Sequence, residues 1–232
     1  VYSVRFMGER AYVVTFKKVD PLFVIHLKDP TSPQILGALK IPGYSDYLHP
    51  YDENHIIGFG KDTVEVSQKD WQGKELDTVA YYQGMKIALF DVTNVEKPVE
   101  KFKVLIGERG TESELLRNHK ALLFSKEKNL LAFPVTVMER KDKSQKAYEY
   151  GEFTFQGAYV YKLDLEKGFQ LRGKITHLNT EDYQKAGYGW YNNPKNVERI
   201  LYIGDKLYTI SREKIFAHDL NSLQEVSGLT LP

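Results

Sequence analysis

The stretch FVIHLKDPTSPQILGAL, residues 23–39, sets two apolar runs either side of an Asp-Pro-Thr-Ser-Pro turn. Val, Ile, Leu and Phe in short runs favour strands, whereas Pro ends ladder pairing and Asp and Thr side chains bond nearby backbone N–H groups. A second version, IALFDVTNVEKPVEKF at 87–102, has the same layout. A motif that recurs within one chain points to architecture before it points to an active site.

Working outward, each such turn follows an apolar hairpin. Four hairpins are legible: YSVRFMGERAYVVTF (2–16), SDYLHPYDENHIIGFG (45–60), KALLFSKEKNLLAFPV (120–135) and ERILYIGDKLYTISR (198–212). Each turn carries Gly, Asp, Asn, Glu or Lys between strand-forming residues. A third strand then closes on a polar-apolar pair: His26-Leu27, Asp91-Val92, Asp164-Leu165 and Asp219-Leu220. A fourth strand follows, beginning PQIL, PVEK, FQLR and QEVS. Four antiparallel strands per unit, repeated four times, predict an all-β propeller of four four-stranded blades. One blade cannot bury both of its faces, and stacking against neighbours covers them. The approximate blades are 1–43, 44–107, 118–178 and 197–232, with insertions at 61–84, 138–157 and 179–196. The four either close on themselves or form the C-terminal arc of a larger ring. A β-sandwich of similar strand count competes, but explains the repeated turn less well. Short helical segments are expected at 111–118 and at 179–187, the latter with Asn179 or Thr180 as cap and Gly187 as stop.

Composition narrows the function classes. The chain has 232 residues, with 32 basic and 31 acidic side chains mixed along its length and a net charge of +1. No basic block tracks a phosphate backbone, so nucleic acid is not an expected partner. No apolar run approaches the ~20 residues of a membrane helix, so no membrane insertion is expected. Cysteine is absent, which removes disulfides and thiolate metal sites. The N-terminus begins in a strand, without Met or a signal-peptide pattern, and reads as part of a longer protein.

The candidate site residues fall into two groups. In a propeller the first strand of each blade lines the central channel. Asp46 with His49, and Arg109 with Glu114 and His119, are therefore the polar groups to inspect for a channel site. The insertions supply the second group. They carry Trp71, Tyr81 and Tyr82; Tyr148 and Tyr150; and Tyr188, Trp190 and Tyr191. Loops longer than the fold needs commonly carry function, and aromatic platforms beside Asn and Gln suit a sugar or peptide. GYGWYNNP (187–194) is the densest cluster and the strongest binding candidate. No histidine pair or acidic loop has metal-ligand spacing, so neither a metal nor a cofactor is expected. GERGTES (107–113) lacks the Gly-Lys-Ser/Thr core of a phosphate loop. Ser113, His119 and Asp46 form a hydrolytic triad on paper only, because no nucleophile elbow surrounds the serine.

The turn after FVIHL resembles the LVIVD-type repeat of bacterial and archaeal surface proteins. GYSDYLHPYDENHIIGFGKDT, GMKIALFDVTNVEKP and GERGTESELLRNHKALLFSKEKNLLAFPV are similar to the C-terminal β-propeller of a family of secreted bacterial proteins. The resemblance implies an extracellular or surface-attached location, further propeller sequence upstream, and no particular activity. It departs at His26, where related repeats carry Asp, which argues against an essential carboxylate there. The expected function is a non-enzymatic binding or interaction module for a protein or glycan. A hydrolase or lyase with a channel site, acting on an extracellular polymer, is the alternative, and an open ring predicts a homodimer or missing blades.

Overall fold

The computed structural model describes residues 1–15, 20–142, 146–187 and 192–232, including every side chain there except those of Asp20 and Glu75. It is an all-β chain of four four-stranded antiparallel sheets, each a meander in sequence order. Sheet 1 comprises β1 (Ser3–Met7), β2 (Arg10–Val14), β3 (Asp20–His26) and β4 (Gln34–Ile41). Sheet 2 comprises β5 (Tyr44–Asp52), β6 (His55–Lys69), β7 (Glu75–Asp91) and β8 (Val99–Ile106). Sheet 3 comprises β9 (Leu123–Ser125), β10 (Leu130–Glu139), β11 (Glu152–Asp164) and β12 (Gly168–Ile175). Sheet 4 comprises β13 (Arg199–Ile203), β14 (Lys206–Ile210), β15 (Lys214–Asp219) and β16 (Glu225–Thr230). A single α-helix among the described residues, α1 (Thr180–Ala186), follows β12, with Asn179 as N-cap and Gly187 as C-cap, as the sequence predicts. The segment at 111–118 supplies one 3-10 turn, Glu114–Leu116, capped by Ser113.

All four sheets share one irregularity. The pairing of third and fourth strands slips by one residue after Val24, Leu89, Val160 and Ala217, so each fourth strand carries a bulge. A bulge recurring at one place in each repeat re-aims the strand and fixes its register. It also corrects the sequence alignment of the repeats. Two residues beyond the slip stand His26, Asp91, Lys162 and Asp219, and each faces the first residue of its second strand. The next residue, Leu27, Val92, Leu163 or Leu220, donates its N–H to the carbonyl of the hairpin turn, at 2.8–3.0 Å. Sheet 3 thus holds Lys162 where the sequence repeat points to Asp164, and Asp164 lies two residues on, in a shorter turn. Three different residue types fill the position, as expected of a place defined by backbone pairing.

The aspartates of these turns act on the backbone. Asp29 accepts from the Thr31 N–H (2.9 Å) and hydroxyl (2.6 Å), Asp91 from Thr93, Asp164 from Glu166 and Lys167, and Asp219 from Asn221 and Ser222. Bonds to the ionised form hold all four carboxyls below the ordinary aspartate range. At Asp91 burial pushes the other way and is outweighed by the Thr93 bonds and the nearby His55. The insertion at 61–84 is strand rather than loop, because β6 and β7 continue as a two-stranded ribbon to a turn at 70–74.

The described chain divides into two compact units. The first is Val1–Arg109 with Asp142–Glu149, and the second is Gly110–Lys141 with Tyr150–Pro232. In the first, Tyr12, Val14, Leu22 and Val24 of sheet 1 pack on Leu48, Ile56, Ala88 and Phe90 of sheet 2. In the second, Leu130, Ala132, Ala158 and Val160 of sheet 3 pack on Ile200, Leu207 and Leu220 of sheet 4. The repeat alignment makes these two joints equivalent. In each, the earlier sheet presents the face of Tyr12 and Val24, and the later sheet presents the face of Ile56 and Phe90. Close approach at both joints needs a small residue immediately after the fourth-strand bulge. A Cβ on Gly37 would lie 2.1 Å from the Val95 carbonyl oxygen, and one on Gly173 would lie 2.8 Å from a Leu223 methyl.

Candidate functional site

The second unit holds a cleft of about 480 Å³. Its floor begins with an unusual edge. β9 pairs only with Leu130–Ala132, leaving the rest of β10 without a neighbouring strand on that side. Residues 111–113 take the strand's place. Glu112 exchanges both backbone bonds with Thr136 (2.8 and 2.9 Å), and the Thr111 hydroxyl bonds both the N–H and carbonyl of Met138. Ser113 Oγ donates to the Pro134 carbonyl at 2.5 Å and accepts from the Leu115 N–H. These bonds satisfy the β10 edge, which closes it to an added strand.

Beside this floor, on the neighbouring strand β11, Gln156 fastens the wall. Its side-chain amide bonds both the carbonyl (3.0 Å) and N–H (2.9 Å) of Val197, and it is buried. The neighbouring loop is fixed by Asp182, which closes the capping box of α1 and binds Lys195 Nζ at 2.8 Å. Asn192 and Asn196 thereby come to line the cleft.

The rim is charged and balanced. Arg117 pairs with Glu112 at 3.0 Å, Arg212 with Glu198 at 2.8 Å, and Arg199 approaches Glu114 at 3.9 Å. Four of the six residues are exposed and Glu198 and Arg199 are half-buried, so each pair is worth at most about 1 kcal/mol and is open to exchange with a ligand's charges. Guanidinium groups offer forked donors to carboxylates, and the glutamates offer acceptors to cations.

The predicted site residues are distributed as follows. Tyr188, Trp190 and Tyr191 lie outside the described residues; Asn192, next in the chain, lines the cleft. His119 is exposed at the start of a second short turn in the second unit, and Glu114 lies on the cleft rim. Asp46, His49 and Arg109 belong to the first unit. There His49 Nδ1 bonds the Tyr47 hydroxyl (2.9 Å), which accepts from Arg5 Nη2 (3.0 Å). Arg5 also donates to the Leu48 carbonyl at 2.8 Å, tying β1 to β5. Asp46 lies half-buried beside them on β5. Arg109 stacks on Tyr81 at 5.4 Å, Tyr81 meets Tyr148 at 5.9 Å, and Lys146 covers Tyr148 at 5.6 Å. Two insertions thus meet through their aromatics, in alternation with cations. Trp71, on the ribbon turn, is 90% exposed.

Sequence reasoning did not find the cleft. Its residues come from five separated segments and form no motif; Arg199 and Arg212 sit in what reads as an ordinary hairpin. Among the described residues, no group of three or more His, Asp or Glu side chains is arranged to hold a metal ion, and no helix is long and apolar enough to cross a membrane.

Comparison with known proteins follows the fold. A family model described as a beta propeller domain matches residues 1–223. An uncharacterised protein of Methanocaldococcus jannaschii is 33% identical over 231 residues, covering 99% of this chain and 28% of its own. An uncharacterised protein of Archaeoglobus fulgidus is 31% identical over 231 residues, covering 100% of this chain and 28% of its own. The chain therefore spans little more than a quarter of the length of these relatives, and both are archaeal where the resemblance implied a bacterial group. Among solved structures, a europium-containing methanol dehydrogenase aligns with 99% of this chain and 52% of its own, with a TM-score of 0.42 and 8% identity.

Proposed function

Because the chain belongs to the beta propeller domain family, we propose that it is a binding module of the cell exterior or cell surface that engages a polypeptide segment in the cleft of its second unit. The observation that carries this reading is the rim of three arginines and three glutamates, neutral as a set, whose mutual ion pairs stand at the solvent surface. A polypeptide brings both signs of charge and backbone amides, which Asn192 and Asn196 are suited to bond. Ser113, the hydroxyl of the cleft nearest to a nucleophile, is engaged with Pro134 and Leu115 in holding the floor, which favours binding over acyl transfer.

The test is to probe the purified chain on peptide and glycan arrays, alongside the double variant R199A/R212A. Arg212 is exposed and Arg199 is half-buried outside the hydrophobic core, so the variant should fold normally. The reading expects peptide hits carrying both charge signs, weakened about tenfold or more in the variant and by added salt. Glycan hits alone, or peptide binding indifferent to the variant, would overturn it.

A further inference from the structure

Sheets 1 and 4 each bury one face within their own unit and present the other to solvent. On sheet 1 the open face carries Val4, Phe6, Val13, Phe23, Ile25 and Ile35, of which Phe6 is 70% and Ile35 65% exposed. On sheet 4 it carries Leu201, Ile203, Tyr208, Ile210, Ile215 and Leu229, with Ile203 66% and Leu229 59% exposed. Charged residues stand only toward the strand ends of these faces, Lys40 on sheet 1 and Arg199, Lys206 and Asp219 on sheet 4, and the apolar stretch between them marks an interaction surface.

The repeat alignment says what kind of surface each face fits. Ile25 and Ala11 of sheet 1 stand where Phe90 and Ile56 stand in sheet 2, and that sheet-2 face packs on an earlier sheet. Tyr208 and Ala217 of sheet 4 stand where Tyr12 and Val24 stand in sheet 1, and that sheet-1 face packs on a later sheet. The chain thus carries both halves of the joint that it already makes twice. The detail at the rim agrees. In the first unit the turn residue Val95 sits over Gly37; the equivalents for the open faces are Pro30, in the Asp-Pro-Thr-Ser-Pro turn, and the small Ser227.

We propose that the open face of sheet 1 docks on the open face of sheet 4 of a second copy of this chain, in a head-to-tail contact that repeats the internal joints. Such a contact joins two different patches, and so builds a closed ring or a longer array from identical subunits. Occupancy by a second copy is favoured because one chain supplies both complementary faces, each matching by repeat position the half of the internal joint that the other requires.

Light scattering and sedimentation of the purified chain test this. The expected mass is at least twice the 26.8 kDa of one chain. Phe6→Asp removes one half of the joint and Ile203→Asp the other. Both side chains are well exposed, so each variant should keep the circular dichroism of the parent while becoming monomeric. Mixing the two variants should restore a heterodimer, because Phe6→Asp retains a sound sheet-4 face and Ile203→Asp a sound sheet-1 face. General stickiness would not show this complementation. A parent monomeric at all concentrations would overturn the proposal and assign the faces to further sheets of a longer polypeptide. Variants that stay oligomeric, or a mixture that stays monomeric, would overturn it as well.

Discussion

His177 and His218 address the same hydroxyl: the Nε2 atoms of both rings lie within hydrogen-bond distance of Thr209 Oγ1, at 2.8 and 3.2 Å. A hydroxyl has one proton, so one ring donates to it and the other accepts from it. The remaining bonds set the direction. Ser211 Oγ donates to the Lys214 carbonyl, so it accepts from His177 Nδ1–H at 3.1 Å. His177 Nε2 is then bare and accepts from Thr209, which accepts from His218 Nε2–H. The whole relay is buried, with Phe216 against the His177 ring at 4.6 Å.

The relay predicts loss of stability in mild acid. Burial foremost, then the neighbouring His218 and Lys214, pushes the His177 pKa down to about 4. Burial also lowers that of His218, against the opposing pull of Glu225 and the Leu223 backbone. A histidine with a depressed folded pKa binds its proton in the unfolded chain first. Stability is therefore full above about pH 6.5 and falls as pH drops toward about 4, with a limiting slope of ~1.4 kcal/mol per pH unit for each histidine. The turn aspartates, whose folded pKa values are lowered, add their loss only at lower pH, through the carboxylate range. Urea unfolding across this range should show the midpoint falling within the histidine window. His177→Gln should flatten that fall, though it lowers the midpoint at neutral pH; an unchanged slope would refute the assignment.

Gly37 and Gly173 occupy the same place in sheets 1 and 3 but should respond differently to alanine. At Gly37 the added Cβ meets a backbone carbonyl oxygen at 2.1 Å, and the Val95 turn must shift to admit it. At Gly173 it meets the end of the Leu223 side chain, which can rotate. Overpacking of the first kind costs about 1–3 kcal/mol. Gly37→Ala should lie in or above that range by denaturant unfolding, and Gly173→Ala well below it. Equal effects would mean that the two joints do not differ as described.

The parts of this molecule legible in its sequence are those set by neighbours in the chain. The four hairpins, the α1 caps and the turn aspartates all depend on residues within a few positions of one another. The two-residue offset of Asp164 from its apparent repeat position has a physical reason. An aspartate that bonds the N–H groups two or three residues on has the same sequence signature in a short turn as in a long one, while the bulge that sets register leaves no residue signature. The Arg5–Tyr47–His49 chain and the cleft rim depend on side chains far apart in sequence. So does the encounter of Tyr81 with Tyr148, although each ring is conspicuous in its own insertion.

Lys86 and Glu100 supply the sharpest test of the first unit. Lys86 is 4% exposed, yet its ammonium lies 2.5 Å from the Glu100 carboxylate and donates to the Pro42 carbonyl at 2.9 Å. Glu100 also meets Lys103 at 3.4 Å, on the solvent side. Removing one partner of a buried pair strands the other, at a cost of about 3–5 kcal/mol, whereas replacing both by apolar groups is often close to neutral. Lys86→Met should therefore destabilise strongly, moderated by Lys103, which remains to hold the carboxylate. Lys86→Met with Glu100→Met should recover most of the loss, and that recovery measures the stranded charge rather than lost packing. Chemical denaturation of the two single variants and the double closes the cycle. A Lys86→Met variant within about 0.5 kcal/mol of the parent would show that the pair is dispensable to the sheet-2 fold.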